Sequence, residues 1–96
     1  MKPSLALEQK RQVVRDLARR YGTLNPRVFG SVLQGTDQDG SDLDLLVDVA
    51  PGTTLFDLGG LQDELQEVLG VRVDLLTPGD IPVKFRAQLL SEARPV

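Results

Sequence analysis

Asp42 and Asp44 stand two apart in the stretch SDLDLLVDV, and Asp74 stands in a second apolar stretch, VRVDLLT. Carboxylates at i and i+2 of a strand emerge on one face, about 6–7 Å apart along the backbone, so side-chain rotation can bring both to one ion. Like charges that close destabilise a fold unless a cation or a hydrogen-bond network compensates them. The chain has no cysteine and no histidine, which excludes disulfides, thiol catalysis, histidine acid–base chemistry and zinc sites of the usual kind. Oxygen-only donors select hard cations, so magnesium or manganese is the expected ion at Asp42 and Asp44. Upstream, Arg27-Val28-Phe29 runs into Gly30-Ser31. A glycine there allows close backbone approach, a following helical turn offers unpaired N–H groups to an anion, and the Ser31 hydroxyl adds a donor. The combination suits phosphoryl-group chemistry, in which metal neutralises charge on a triphosphate and helps an attacking hydroxyl lose its proton. Asp74 is then the candidate for a second-metal ligand or a base.

For these residues to meet, three strands must carry them in a definite arrangement. Val13, Val14, Leu17, Ala18 and Tyr21 fall at helical spacing and predict a first helix over 6–21, ended by Gly22. Asn25-Pro26 punctuates a loop, 27–29 reads as a short strand, and a helical turn follows through Gln34. From 41 to 49 the alternation puts Leu43, Leu45, Val47 and Val49 on one face, with Asp42, Asp44, Leu46 and Asp48 on the other. Leu55, Leu58, Leu61, Leu65, Val68 and Leu69 predict a helix with Thr53 or Thr54 as N-cap and Gly70 as its stop, weakened at Gly59-Gly60. Val71, Val73 and Leu75 alternate again, with Arg72, Asp74 and Leu76 opposite. Asp80 is the expected cap of a last helix through Phe85, Leu89 and Leu90, with Pro82 in its first turn. One shared site requires the first two strands to be antiparallel. The helix between the second and third predicts a parallel, right-handed crossover that brings Asp74 level with Asp42 and Asp44. The expected fold is therefore a small α/β (α+β) domain, a mixed sheet of three to four strands packed against helices.

Ninety-six residues suffice for one compact core, too few for a catalytic domain plus a separate acceptor-binding domain, so a single domain over 1–96 is expected. Hydrophobic residues at 41% and charged residues at 26% are the balance of an ordinary globular protein. No run of about 18 apolar residues occurs, and MKPSLALEQKRQ lacks the apolar centre of a signal peptide, so no membrane association and a cytoplasmic location are expected. A net charge of −3 and an aromatic content of 4% offer little for tracking nucleic acid. Lys10, Arg11, Arg15, Arg19 and Arg20 read as a solvated helix face, and Asp48 as a surface residue. GTDQDGSDLD invites a calcium-loop reading that fails. With Gly40 as the loop glycine, Gly35 and Leu46 would occupy ligand positions, so Asp37, Asp39 and Gly40 read as a tight turn.

The set Gly30-Ser31, Asp42-x-Asp44 and Asp74 resembles the polymerase-β-like nucleotidyltransferase superfamily, and most of all its minimal nucleotidyltransferases. The resemblance runs through VFGS, SDLDLLVDV, FDL at 56–58, VRVDLLTP and the last helix. It implies a nucleotidyltransferase domain in which Gly30 and Ser31 contact the triphosphate of ATP or another nucleotide while Asp42, Asp44 and Asp74 ligate two magnesium ions. It also implies transfer of a nucleoside monophosphate to a hydroxyl of a partner, in this family often a helical HEPN toxin for which the transferase is the antitoxin. Many relatives read GSxARG where this chain reads GSVLQG. Gln34 thus replaces a common arginine, which makes a binding-only antitoxin or adaptor the alternative.

Overall fold

The computed structural model describes residues 1–96. The alternation of LDLLVDV forms strand β2 (Leu43–Val49), the inner strand between β1 (Thr23–Phe29) and β3 (Val73–Leu76). β1 and β2 run antiparallel and β2 and β3 parallel, and a two-residue strand β4 (Arg94–Pro95) adds to the outer side of β1. The sheet order is β3-β2-β1-β4. Helices α1 (Pro3–Gln9), α2 (Arg11–Arg20) and α4 (Leu55–Leu69) cover the face onto which Leu43 and Leu45 point. There Leu7, Val14, Leu17, Leu61, Leu65 and Leu69 form one core with Val28, Val73 and Val96. The opposite face, which carries Asp42 and Asp44, meets only the short helix α3 (Gly30–Gln34), a 3-10 turn (Pro78–Asp80) and helix α5 (Val83–Glu92). No residue of α5 is buried. The dense side fixes the strands, and the open side leaves the carboxylates accessible.

The α4 helix that links the parallel strands starts as its residues require. Thr54 is the N-cap, its hydroxyl accepting from the Asp57 N–H while the Asp57 carboxylate accepts from the Thr54 N–H, and Gly70 closes the helix in the left-handed region at φ +70°. Leu61, fully buried under the sheet, anchors α4. Leu61→Ala is expected to cost about 3–4 kcal/mol of unfolding free energy, measured by urea denaturation, since the cavity left among packed neighbours cannot collapse fully.

Several boundaries differ from those the residue pattern suggests. The helix expected over 6–21 is two helices broken at Lys10, whose backbone leaves the helical region at φ −134°, ψ 30°. Long-range tethers hold the break: Lys10 Nζ donates to the Val68 carbonyl at 2.8 Å, and the Ser4 N–H of α1 donates to Asp37 Oδ2 at 2.9 Å. Asp37 is thus buried in a structural contact, beyond its role in the acidic turn. β1 begins at Thr23, passing through the Asn25-Pro26 segment as a bulge, with Asn25 at φ 55° and the register shifting between Leu24 and Arg27. A bulge is where a strand tolerates proline. Asp80 does not cap the last helix. It closes a capping box with Thr77 around the 3-10 turn, and α5 starts at Val83 with Pro82 as its N-cap residue, outside the first turn. No helix is long and apolar enough to cross a membrane.

Candidate active site

The topology converges on one end of β2. Phe29, the last residue of β1, lies opposite Asp44, and Asp44 lies opposite Asp74. Adjacent strands are about 4.8 Å apart, so the side chains of Phe29, Asp44 and Asp74 form a row on the open face. The chain leaves β1 at Gly30 in the left-handed region, φ +71°. A Cβ there would sit 2.0 Å from Asp44 Oδ2, so only glycine lets the backbone pass so close to that carboxylate. α3 follows without any side-chain cap, leaving the N–H groups of its first turn, Ser31 included, without intrahelical partners. Ser31 does not serve as the cap of this turn, which starts after Phe29.

Burial, with the like charges of Asp74 and Asp42 beside it, lifts the Asp44 carboxyl to about 6 from its ordinary 3.8. All three causes push the same way. The folded domain therefore holds a proton on Asp44 between about pH 4 and 6 that the unfolded chain releases, and Asp44 contributes stability below pH 4 that is lost as pH rises through 6. Asp37 has the opposite sign: the Ser4 N–H lowers its pKa, and its contribution fades only as pH falls below the ordinary carboxylate range. Without divalent metal, the melting temperature is expected to decline from pH 5 to pH 7, and Asp44→Asn is expected to flatten that decline. Thermal melts across the range check both.

Asp42, just before β2, is turned outward. Its Oδ1 pairs with Arg72 Nε at 3.0 Å, and as the side chains stand no three carboxylates lie close enough to grip one ion. Asp48, further along the same face, is engaged by Arg27 at 2.8 Å and by Asn25, as suits a residue outside the site. Asp44 and Asp74, facing each other without a compensating cation, fit a hard divalent ion, and rotation of Asp42 away from Arg72 would complete an all-oxygen set. Arg72 is the residue that spacing alone left without a role. Its alternation with Asp74 on β3, combined with the parallel register, is the signal that places it opposite Asp42.

Beside Gly30, α3 and α5 enclose an open groove of about 280 Å³. Phe29, Leu33, Phe85 and Leu89 form its apolar part, and Gln34, Gln88 and Glu92 its polar part. Phe85 and Leu89, at the far end of the sequence, thus line the neighbourhood of the site instead of filling the core.

Residues 10–96 match the nucleotidyltransferase domain family, and the chain belongs to that family and has its activity, nucleotidyl transfer. It is 37% identical over 86 residues to a Methanocaldococcus jannaschii protein provisionally named a protein adenylyltransferase, covering 90% of this chain and 91% of that one. A solved structure described provisionally as a minimal nucleotidyltransferase superposes with a TM-score of 0.87 at 41% identity, over 97% of this chain and 95% of the other. These similarities make it a member of the minimal, MNT-type branch. A toxin–antitoxin complex solved with AMP-PNP shares the fold, with a TM-score of 0.73 at 23% identity over 90% of this chain and 70% of that one.

Proposed function

We propose that the chain, acting as a single domain over 1–96, is a magnesium-dependent adenylyltransferase that moves AMP from ATP to a hydroxyl of a partner protein. The observation that carries this reading is the glycine-only approach of the Gly30 backbone to Asp44, which lies beside Asp74 in the row of side chains. The N–H groups of Gly30 and Ser31 and the Ser31 hydroxyl would contact the triphosphate. Asp42, Asp44 and Asp74 would hold the metal, two ions in all. Magnesium so held would supply charge neutralisation on the triphosphate and favour loss of the hydroxyl proton. Asp74, the exposed member of the row, is the base in this reading and takes the hydroxyl proton. The acceptor oxygen bonds to the α-phosphorus, the α–β anhydride breaks, and pyrophosphate leaves.

The partner in this reading is a HEPN-type toxin, with the chain as its antitoxin in the cytoplasm. Support comes from the toxin–antitoxin context of the structural relative and from the groove of Phe29, Leu33, Phe85 and Leu89, an apolar surface for a protein partner beside the site. One observation favours a second reading. Gln34 is exposed and brings no charge to the phosphate end of the site, so neutralisation of the toxin by contact alone is the alternative. Asp42→Asn with Asp44→Asn separates the two. If chemistry neutralises the partner, the variant binds it yet fails to protect cells from it, whereas protection that survives the change selects the contact-only antitoxin.

A further inference from the structure

We infer that Arg72 is the resident counter-cation of the site, holding Asp42 in the metal-free domain so that a divalent ion must displace it to bind. The inference rests on the metal-binding reading above and deepens it. Leu43 pairs with Val73 and Asp44 with Asp74 in the parallel ladder, so the residues one step earlier, Asp42 and Arg72, face each other on the same side of the sheet as the other two carboxylates. The backbone is pinned there, the Leu43 N–H donating to the Arg72 carbonyl at 2.8 Å. Four charged side chains thus form a square, with Asp44 and Asp74 unpaired at one edge and Arg72 Nε on Asp42 Oδ1 at 3.0 Å at the other. With Asp42 paired in this way, no three carboxylates are gathered at one point. Arg72 is 78% exposed and Asp42 46%, so neither is locked, and the contact is of a strength that a divalent cation can outcompete. An arginine is suited to the role because it stays charged at every working pH and its planar fork matches a carboxylate.

The test is calorimetric titration of nucleotide-free protein with Mn²⁺ and with Mg²⁺, requiring no catalysis. Arg72→Met is expected to bind either ion about fivefold more tightly than wild type, the factor that corresponds to ~1 kcal/mol for an exposed ion pair. Arg72→Lys, which keeps a charge, should stay close to wild type. In an Asp42→Asn background the Arg72→Met effect should vanish, since no carboxylate remains to be released. Equal or weaker binding by Arg72→Met would overturn the inference, and so would a fivefold gain that persists with Asp42→Asn, which would mark Arg72 as a distant charge acting independently of Asp42. Absence of metal binding in every variant would instead remove the metal reading of the site on which the inference stands. Because residue 72 is exposed, the methionine variant should melt with wild-type cooperativity, which the same samples verify.

Discussion

Asp44→Asn is expected to abolish nucleotidyl transfer while making the metal-free domain more stable. A loss of about 10³-fold or more follows from the proposed function, in which the central carboxylate holds a metal that would contribute several kcal/mol of transition-state stabilisation. Stability moves the other way because Asp44 is strained in the resting fold: burial and the charges of Asp74 and Asp42 lift its pKa to about 6. At pH 7 the folded state must carry that unfavourable charge, and asparagine need not. The open side of the site screens much of the effect, leaving on the order of 1 kcal/mol, or a rise of about 4 °C in melting temperature for a domain of this size. Transfer assays paired with thermal melts at pH 7, with and without magnesium, check both halves. A variant that lost activity together with stability would show Asp44 to be a structural residue.

Gly30→Ala should have the next largest effect, on both readouts at once. Gly30 sits at φ +71°, where a Cβ is unfavourable, and that Cβ would meet Asp44 Oδ2 at 2.0 Å and Asp44 Cγ at 2.9 Å. Backbone strain and the forced displacement together are expected to cost about 2–4 kcal/mol in urea denaturation. Shifting Asp44 by a fraction of its width misplaces the reacting geometry, which is expected to lower transfer by about 10²-fold. The steric part is separable. Combined with Asp44→Ala, the glycine substitution should retain only its backbone strain, so the double-mutant cycle should show a favourable coupling between the two sites.

Much of the candidate site's geometry was legible in the sequence because it is built from short-range periodicity. The two-residue spacing of Asp42 and Asp44 fixes their common face, the phase of VRVDLLT puts Asp74 on the corresponding face of its own strand, and a glycine at the end of an apolar run announces a close approach. The element order then implies antiparallel and parallel pairings that the ladder contains. What periodicity could not reveal depends on contacts between distant residues. The break at Lys10 is held through Val68, the burial of Asp37 through Ser4, and the two-residue β4 exists only because Arg94-Pro95 lands beside β1. Asp80 presents the residue type of a helix cap, yet Thr77 three residues earlier recruits it into a tighter turn. The Arg72–Asp42 pair was hidden for a similar reason. Both residues were visible, but their opposition follows from the exact strand register, which no single stretch encodes.

Transfer of a nucleotidyl group to a partner by these carboxylates is tested most directly by parallel labelling with α-phosphate-labelled and γ-phosphate-labelled ATP. The chain is purified together with whatever protein accompanies it, supplied with magnesium, and compared with the Asp42→Asn/Asp44→Asn variant. Label from the α-phosphate should appear on the accompanying protein, label from the γ-phosphate should leave as pyrophosphate, and the variant should transfer neither. Transfer of γ-label, or α-label that persists in the variant, would contradict the account.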